Sequence, residues 1–132
     1  MKSIFIATTV SVVVLFATSV IGGEAPDFFK STYPPHALKS ALEARAILNG
    51  KEAKLDAKTR ELISLGVAAQ IPCTYCVYIH TKNARAAGAS EAEIREAVST
   101  AAQIRRWSTV LNGMGYDFDA FKAEVDKIQS SK

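Results

Sequence analysis

Cysteine, proline and glycine are all scarce in this chain, and each shortage removes a class of answer. Two cysteines in 132 residues cannot build the disulfide scaffold that replaces a core in many small extracellular domains. With 4 prolines and 7 glycines, turn-forming residues are too few for the many short strands of a β-sandwich or barrel. No segment alternates apolar and polar residues for long enough to make a strand. Charge of one sign is lacking as well. Lys and Arg number 16 against 13 Asp and Glu, a net charge of +3, without the dense basic patch that nucleic-acid binding needs. One of the two methionines is Met1 and the other Met114, so no soft Met-rich groove is available. The chain is 48% hydrophobic and 22% charged, the proportions of a globular domain rather than a disordered one. Its length allows one domain.

The N-terminal 23 residues are set apart from that domain. Met1-Lys2 is followed by an apolar run from Ile4 to Ile21, broken only by Ser and Thr, and then by Gly22-Gly23. That is the form of a secretory signal peptide, with cleavage after Gly22 or Gly23 and Ser19 as a further permissible site. An uncleaved anchor is the alternative, because about 18 residues just span a bilayer. The hydroxyls of Thr8, Thr9, Ser11, Thr18 and Ser19 weigh against it. The expectation is an exported protein, periplasmic or secreted, and membrane-anchored if the segment stays. Residues 24–132 form the domain, which is small enough that self-association would usefully enlarge its core.

Those residues read as an all-α bundle of about five helices. Pro26, Pro34 and Pro35 mark residues 24–35 as an extended lead-in carrying Phe28, Phe29 and Tyr33. A first helix runs from His36 to Asn49, apolar at Leu38, Leu42, Ile47 and Leu48, and stops at Gly50. Asp56 is a good N-cap for a second, Ala57 to Gln70. Leu62, Ile63, Leu65, Val67, Ala68 and Ala69 nearly encircle that helix, which predicts a buried central position. Pro72 suits the first turn of a third helix ending at Gly88. Ser90 and Glu93 make a capping box for a fourth, striped by Ile94, Ala97, Val98, Ala101 and Ile104 and ending near Asn112-Gly113. A fifth starts at Asp117 with Phe118, Phe121, Val125 and Ile128 at helical spacing. The many alanines let these helices approach closely.

The residues able to carry chemistry are few. Cys73, Cys76 and His80 lie at i, i+3 and i+7 of the third helix, hence on one face, and Cys76 to His80 is an i,i+4 pair. Cys73 falls in the first turn, where free N–H groups and the helix dipole favour a thiolate. Each sulfur therefore has an activator: the dipole for Cys73, the imidazole for Cys76. The effect is large. At neutral pH a thiol of pKa about 8.5 is roughly 3% ionised, and one near 6 about 90%. Glu61 is the fourth candidate. If the second and third helices pack as a hairpin, its carboxylate can hydrogen-bond His80; otherwise it is an exposed Glu favoured by a helix N-terminus.

The cysteine pair has simpler readings. A structural disulfide is natural after export, though closing so short a loop constrains the unfolded chain by only about 2 kcal/mol. A zinc site lacks ligands, since His36 and His80 are the only histidines. Covalent haem attachment requires His where Val77 stands, and a thioredoxin-like motif needs a β-α-β setting. The spacing favours a redox-active dithiol, with a structural disulfide next.

The stretch ELISLGVAAQIPCTYCVYIHT from Glu61, continuing as AAGASEAEIRE to Glu96 and preceded by LDAKTRE from Leu55, resembles the alkylhydroperoxidase D / carboxymuconolactone decarboxylase family. The resemblance covers about residues 37–112, most of the domain. It implies an all-α fold and, in the peroxidase branch, a Glu–His proton relay that activates the second cysteine while the first closes a disulfide. Carried over by position, Glu61 and His80 form the relay, Cys76 is the attacking thiolate and Cys73 the resolving thiol. The decarboxylase branch generally lacks the pair, so the pair favours peroxidase chemistry. In some peroxidase members a His lies between the cysteines, where this chain has Tyr75, so the resemblance does not carry an auxiliary proton transfer over to that position. The reading is therefore a peroxiredoxin-type reductase of small hydroperoxides that requires no metal or organic cofactor and assembles as a trimer or hexamer. Its reductant is an unidentified thiol, because the lipoylated donors of cytosolic members are out of reach after export. A decarboxylase-like lyase using His80 as acid/base and a non-catalytic domain with a structural disulfide are the alternatives.

Overall fold

Polar side chains set where three helices of the C-terminal half begin. Asp56 accepts the backbone N–H of Thr59 and so opens α3 (Ala57–Gln70). Ser90 and Glu93 exchange hydrogen bonds as a full capping box at the start of α5 (Glu91–Gly113). Asp117 accepts from the Ala120 N–H and opens α6 (Phe118–Ser130). Each cap satisfies a donor that has no partner inside its helix. Between α3 and α5 lies α4 (Thr74–Ala86), which is capped by Ala87 and followed by a turn through Gly88 at φ +86, a left-handed conformation that glycine adopts without a Cβ penalty.

The computed structural model describes residues 24–131; the expected signal segment, residues 1–23, lies outside the described residues. The chain divides into two units, one ending at Ala53 and one beginning at Lys54. The first unit contains α1 (Asp27–Thr32) and α2 (Pro35–Leu48), which pack on each other. The second contains α3 to α6, in which α4 and α5 both pack on α3. All described elements are helices, so the all-α expectation holds. None of them is long and apolar enough to cross a membrane.

Helix boundaries expected from Asp56, Ser90 and Asp117 hold to the residue. Three details differ. The lead-in is not extended throughout, because α1 forms between the prolines. Pro26 occupies the N-cap, where its missing N–H is not needed, and Asp27 sits in the first turn, which the helix dipole favours. Pro72 is not in the first turn of α4 either; it lies in the turn after α3, and Cys73 is the N-cap. The cysteine sulfur takes the place of a capping oxygen.

The third difference concerns α3. Leu65 and Ala68 are buried, at 1% and 2% exposure, yet Ile63 and Val67 remain 53% and 55% exposed. Two neighbouring helices cover only two sides of a helix that is apolar nearly all round. Leu65, Ala84, Ala89 and Ile94 make the small core, with Leu62 and Val77 packed against it. Where α3 meets α5, a Cβ on Gly66 would stand 3.6 Å from the Ala101 Cβ, an ordinary van der Waals distance. Polar clasps hold the same contact. Lys58 pairs with Glu93 at 2.7 Å, and Gln70 Nε2 donates to the Ala101 carbonyl while Arg105 donates to both Gln70 oxygens. By contrast, α6 packs on none of α3 to α5, and its Phe118, Phe121 and Ile128 stay exposed.

Candidate active site

The α3–α4 hairpin brings together all four residues singled out from the sequence. Ile71 and Pro72 make the tight turn, and Cys73 N–H donates to the Ala68 carbonyl across it. Antiparallel packing then sets the N-terminal half of α3 against the middle of α4. As a result Glu61 Oε2 lies 2.7 Å from His80 Nδ1, across 19 residues of sequence. Both side chains are sheltered, at 15% and 20% exposure, so water screens the contact little. An ionised carboxylate can only accept, so in a neutral imidazole this contact selects the tautomer with the proton on Nδ1 and the lone pair on Nε2.

Cys73 and Cys76 are joined in a disulfide, with Cα atoms 5.2 Å apart. Cys73 Sγ also accepts the backbone N–H of Cys76 at 3.2 Å, in the manner of an N-cap side chain. Cys76 lies one helical turn before His80, on the same face of α4. Both cysteines are half-buried.

Around the pair the surface is aromatic and aliphatic. Tyr75, between the cysteines, is 88% exposed, and Ile71, Tyr78 and Ile79 are exposed as well. Lys82 Nζ stands 5.4 Å over the Tyr78 ring. This rim was not drawn from the sequence, although the aromatic positions inside and just after the Cys-x-x-Cys segment signal it. Arg60, next to Glu61, was missed too. Its Nη1 donates to the Leu55 carbonyl, but its buried Nε has no hydrogen-bond partner. Among the described residues, no three His, Cys, Asp or Glu side chains group so as to hold one metal ion. An apolar groove between α3 and α5, lined by Leu62, Ile63, Val67 and Ile104 among others, includes none of the four site residues.

A model of the carboxymuconolactone decarboxylase family matches residues 35–116, which take in α2 to α5 and all four site residues. This chain belongs to that family. Membership of the carboxymuconolactone decarboxylase family covers the alkylhydroperoxidase D-like resemblance read from the Glu61–Glu96 stretch. It brings peroxidase-like and decarboxylase-like chemistry alike into range. The chain is also 41% identical over 51 residues to a Paracoccus denitrificans protein called uncharacterized protein 4 in the cox locus. That match covers 39% of this chain and 46% of the relative, so it spans less than half of the protein it resembles.

Proposed function

We propose that this protein is a thiol-dependent hydroperoxide reductase that cycles Cys73 and Cys76 between dithiol and disulfide. The observation that carries the reading is the sheltered Glu61–His80 hydrogen bond on the face of α4 that also holds both sulfurs. A disulfide kept only for stability has no need of an oriented imidazole one turn away. In the oxidative half, His80 Nε2 takes the Cys76 proton and the thiolate attacks the peroxide O–O bond. One oxygen stays on sulfur as a sulfenic acid, and the other leaves as alcohol with the proton that His80 returns. Cys73 then attacks the sulfenic sulfur, water departs, and the disulfide closes. Two reductant thiols restore the pair.

Lys2, the apolar run to Ile21 and Gly22-Gly23 support export, so the reductant belongs outside the cytosol. The exposed apolar residues Ile63, Val67, Ile104, Trp107 and Phe118 support a homo-oligomer, because self-association removes such a surface from water. Light scattering at micromolar concentration should give more than one chain mass.

The enzyme reading is tested with single-cysteine variants. Cys73→Ser should consume one equivalent of peroxide and stop as a dimedone-reactive sulfenic acid on Cys76. Cys76→Ser should be nearly inert. Adduct on Cys73 alone would overturn the role assignment, and no reaction in either variant would overturn the reductase. A lactone-decarboxylating activity that survives thiol alkylation would identify a lyase instead.

A further inference from the structure

We propose that the sulfurs also have fixed, different parts when the disulfide is reduced: the reductant thiol attacks Cys76 Sγ, and Cys73 departs as the thiolate. The proposal rests on the reductase reading above and adds to it the direction of the second half-reaction. Two observations point the same way. Cys73 is the N-cap of α4, and its Sγ already accepts the Cys76 N–H at 3.2 Å. Charge arriving on that sulfur meets an aimed peptide donor and the positive end of the helix dipole, with no rearrangement. Cys76 instead lies one turn from His80, whose free Nε2 is fixed by the Glu61 contact at Nδ1. An incoming thiol at Cys76 therefore has a base for its proton.

Attack at Cys73 reverses both advantages. The base lies beside the wrong sulfur, and the departing Cys76 sulfur is not a capping atom. A lower-pKa thiol leaves faster from a disulfide, so the helix end selects the bond partner that departs. In the step, the S–S bond between Cys73 and Cys76 breaks and a bond forms between the reductant sulfur and Cys76. The electron pair goes to Cys73, and the reductant's proton goes to His80. A second reductant thiol then attacks the reductant sulfur of this mixed disulfide. It releases Cys76, which takes the proton from His80, and the reductant leaves as its own disulfide. Two thiols thus supply two electrons and two protons, the last proton reaching Cys73 through solvent.

The same asymmetry suits the oxidative half. Cys73, whose thiolate the Cys76 N–H and the helix end favour, is ready to attack the Cys76 sulfenic acid. It is a poorer attacker of peroxide, because nucleophilicity falls with thiol pKa and because Cys76, not Cys73, is spaced one helical turn from His80.

The test uses the oxidised full-length protein and glutathione as the probe thiol. The reaction is quenched in acid, free thiols are blocked with N-ethylmaleimide, and both groups are located by fragmentation of the peptide holding both cysteines. The expected product carries glutathione on Cys76 and maleimide on Cys73. Its excess should be about threefold for each unit by which the Cys73 pKa lies below that of Cys76, by microscopic reversal of the thiol nucleophilicity slope. The pH dependence of iodoacetamide alkylation should place Cys73 in Cys76→Ser below Cys76 in Cys73→Ser. Glutathione on Cys73, an even distribution, or Cys73 ionising at or above Cys76 would each overturn the proposal. None of these touches the reductase reading, which falls if neither cysteine reacts with peroxide.

Discussion

Replacing Glu61 by Gln changes one charge in a sheltered contact, and the size of the effect follows from the geometry. The carboxylate lies 2.7 Å from His80 Nδ1, and neither side chain is more than 20% exposed. In the proposed attack on peroxide His80 would become an imidazolium, and Glu61 would stabilise that charge. A charge-assisted hydrogen bond contributes about 1 to 2 kcal/mol more than a neutral one. The substituted amide still fills the space and offers an oxygen, so the loss should be that difference. The second-order rate with peroxide should fall roughly 5- to 30-fold. His80→Ala removes the base itself and should cost about 10²- to 10⁴-fold. Because Glu61 acts only through His80, the double variant should be no slower than His80→Ala alone. Rapid-mixing assays of the reduced protein, following peroxide loss in the first turnover, measure all three rates. A Glu61→Gln rate within twofold of the unaltered protein, or a double variant slower by the product of both effects, would refute the relay.

Other consequences concern the scaffold. Gly66→Ala should be stabilising by about 1 kcal/mol, since alanine favours the helix and the new Cβ meets Ala101 at an ordinary 3.6 Å; a lower thermal midpoint would contradict this. Ser90→Ala removes one side of the capping box and should cost about 1 kcal/mol in denaturant titration. Lys58 and the Ser90 donors hold the Glu93 carboxyl down at about 2. A depressed carboxyl stabilises the folded state above its unfolded value, and that contribution is lost as pH falls from about 4.5 toward 2. Acid unfolding of Glu93→Gln should lack this component, and an unchanged acid profile would count against it.

Much of this architecture was legible because it is local. Asp56, Ser90 and Asp117 act within three residues of themselves, so their caps could be read from spacing alone. The face shared by Cys73, Cys76 and His80 is likewise a property of one helix. The Glu61–His80 contact required a hairpin, and Pro72 suggested that hairpin without specifying it. What sequence could not supply was coverage. Helical spacing shows that α3 is apolar nearly all round, but not that, among the described residues of its unit, α4 and α5 cover only two of its sides, leaving Ile63 and Val67 exposed. The capping role of Cys73 was hidden for another reason. Pro72 fits a first turn equally well, and only the turn geometry settles whether the proline or the cysteine begins the helix.

In the proposed cycle one peroxide molecule is reduced at the expense of one dithiol. Counting thiols in the purified, reduced protein before and after limiting hydroperoxide measures this directly. Two thiols should be lost and one alcohol formed per peroxide consumed, with both thiols recovered on adding a thiol reductant. Peroxide consumed with the thiol count unchanged, or thiols that stay reduced beside unreacted peroxide, would contradict it.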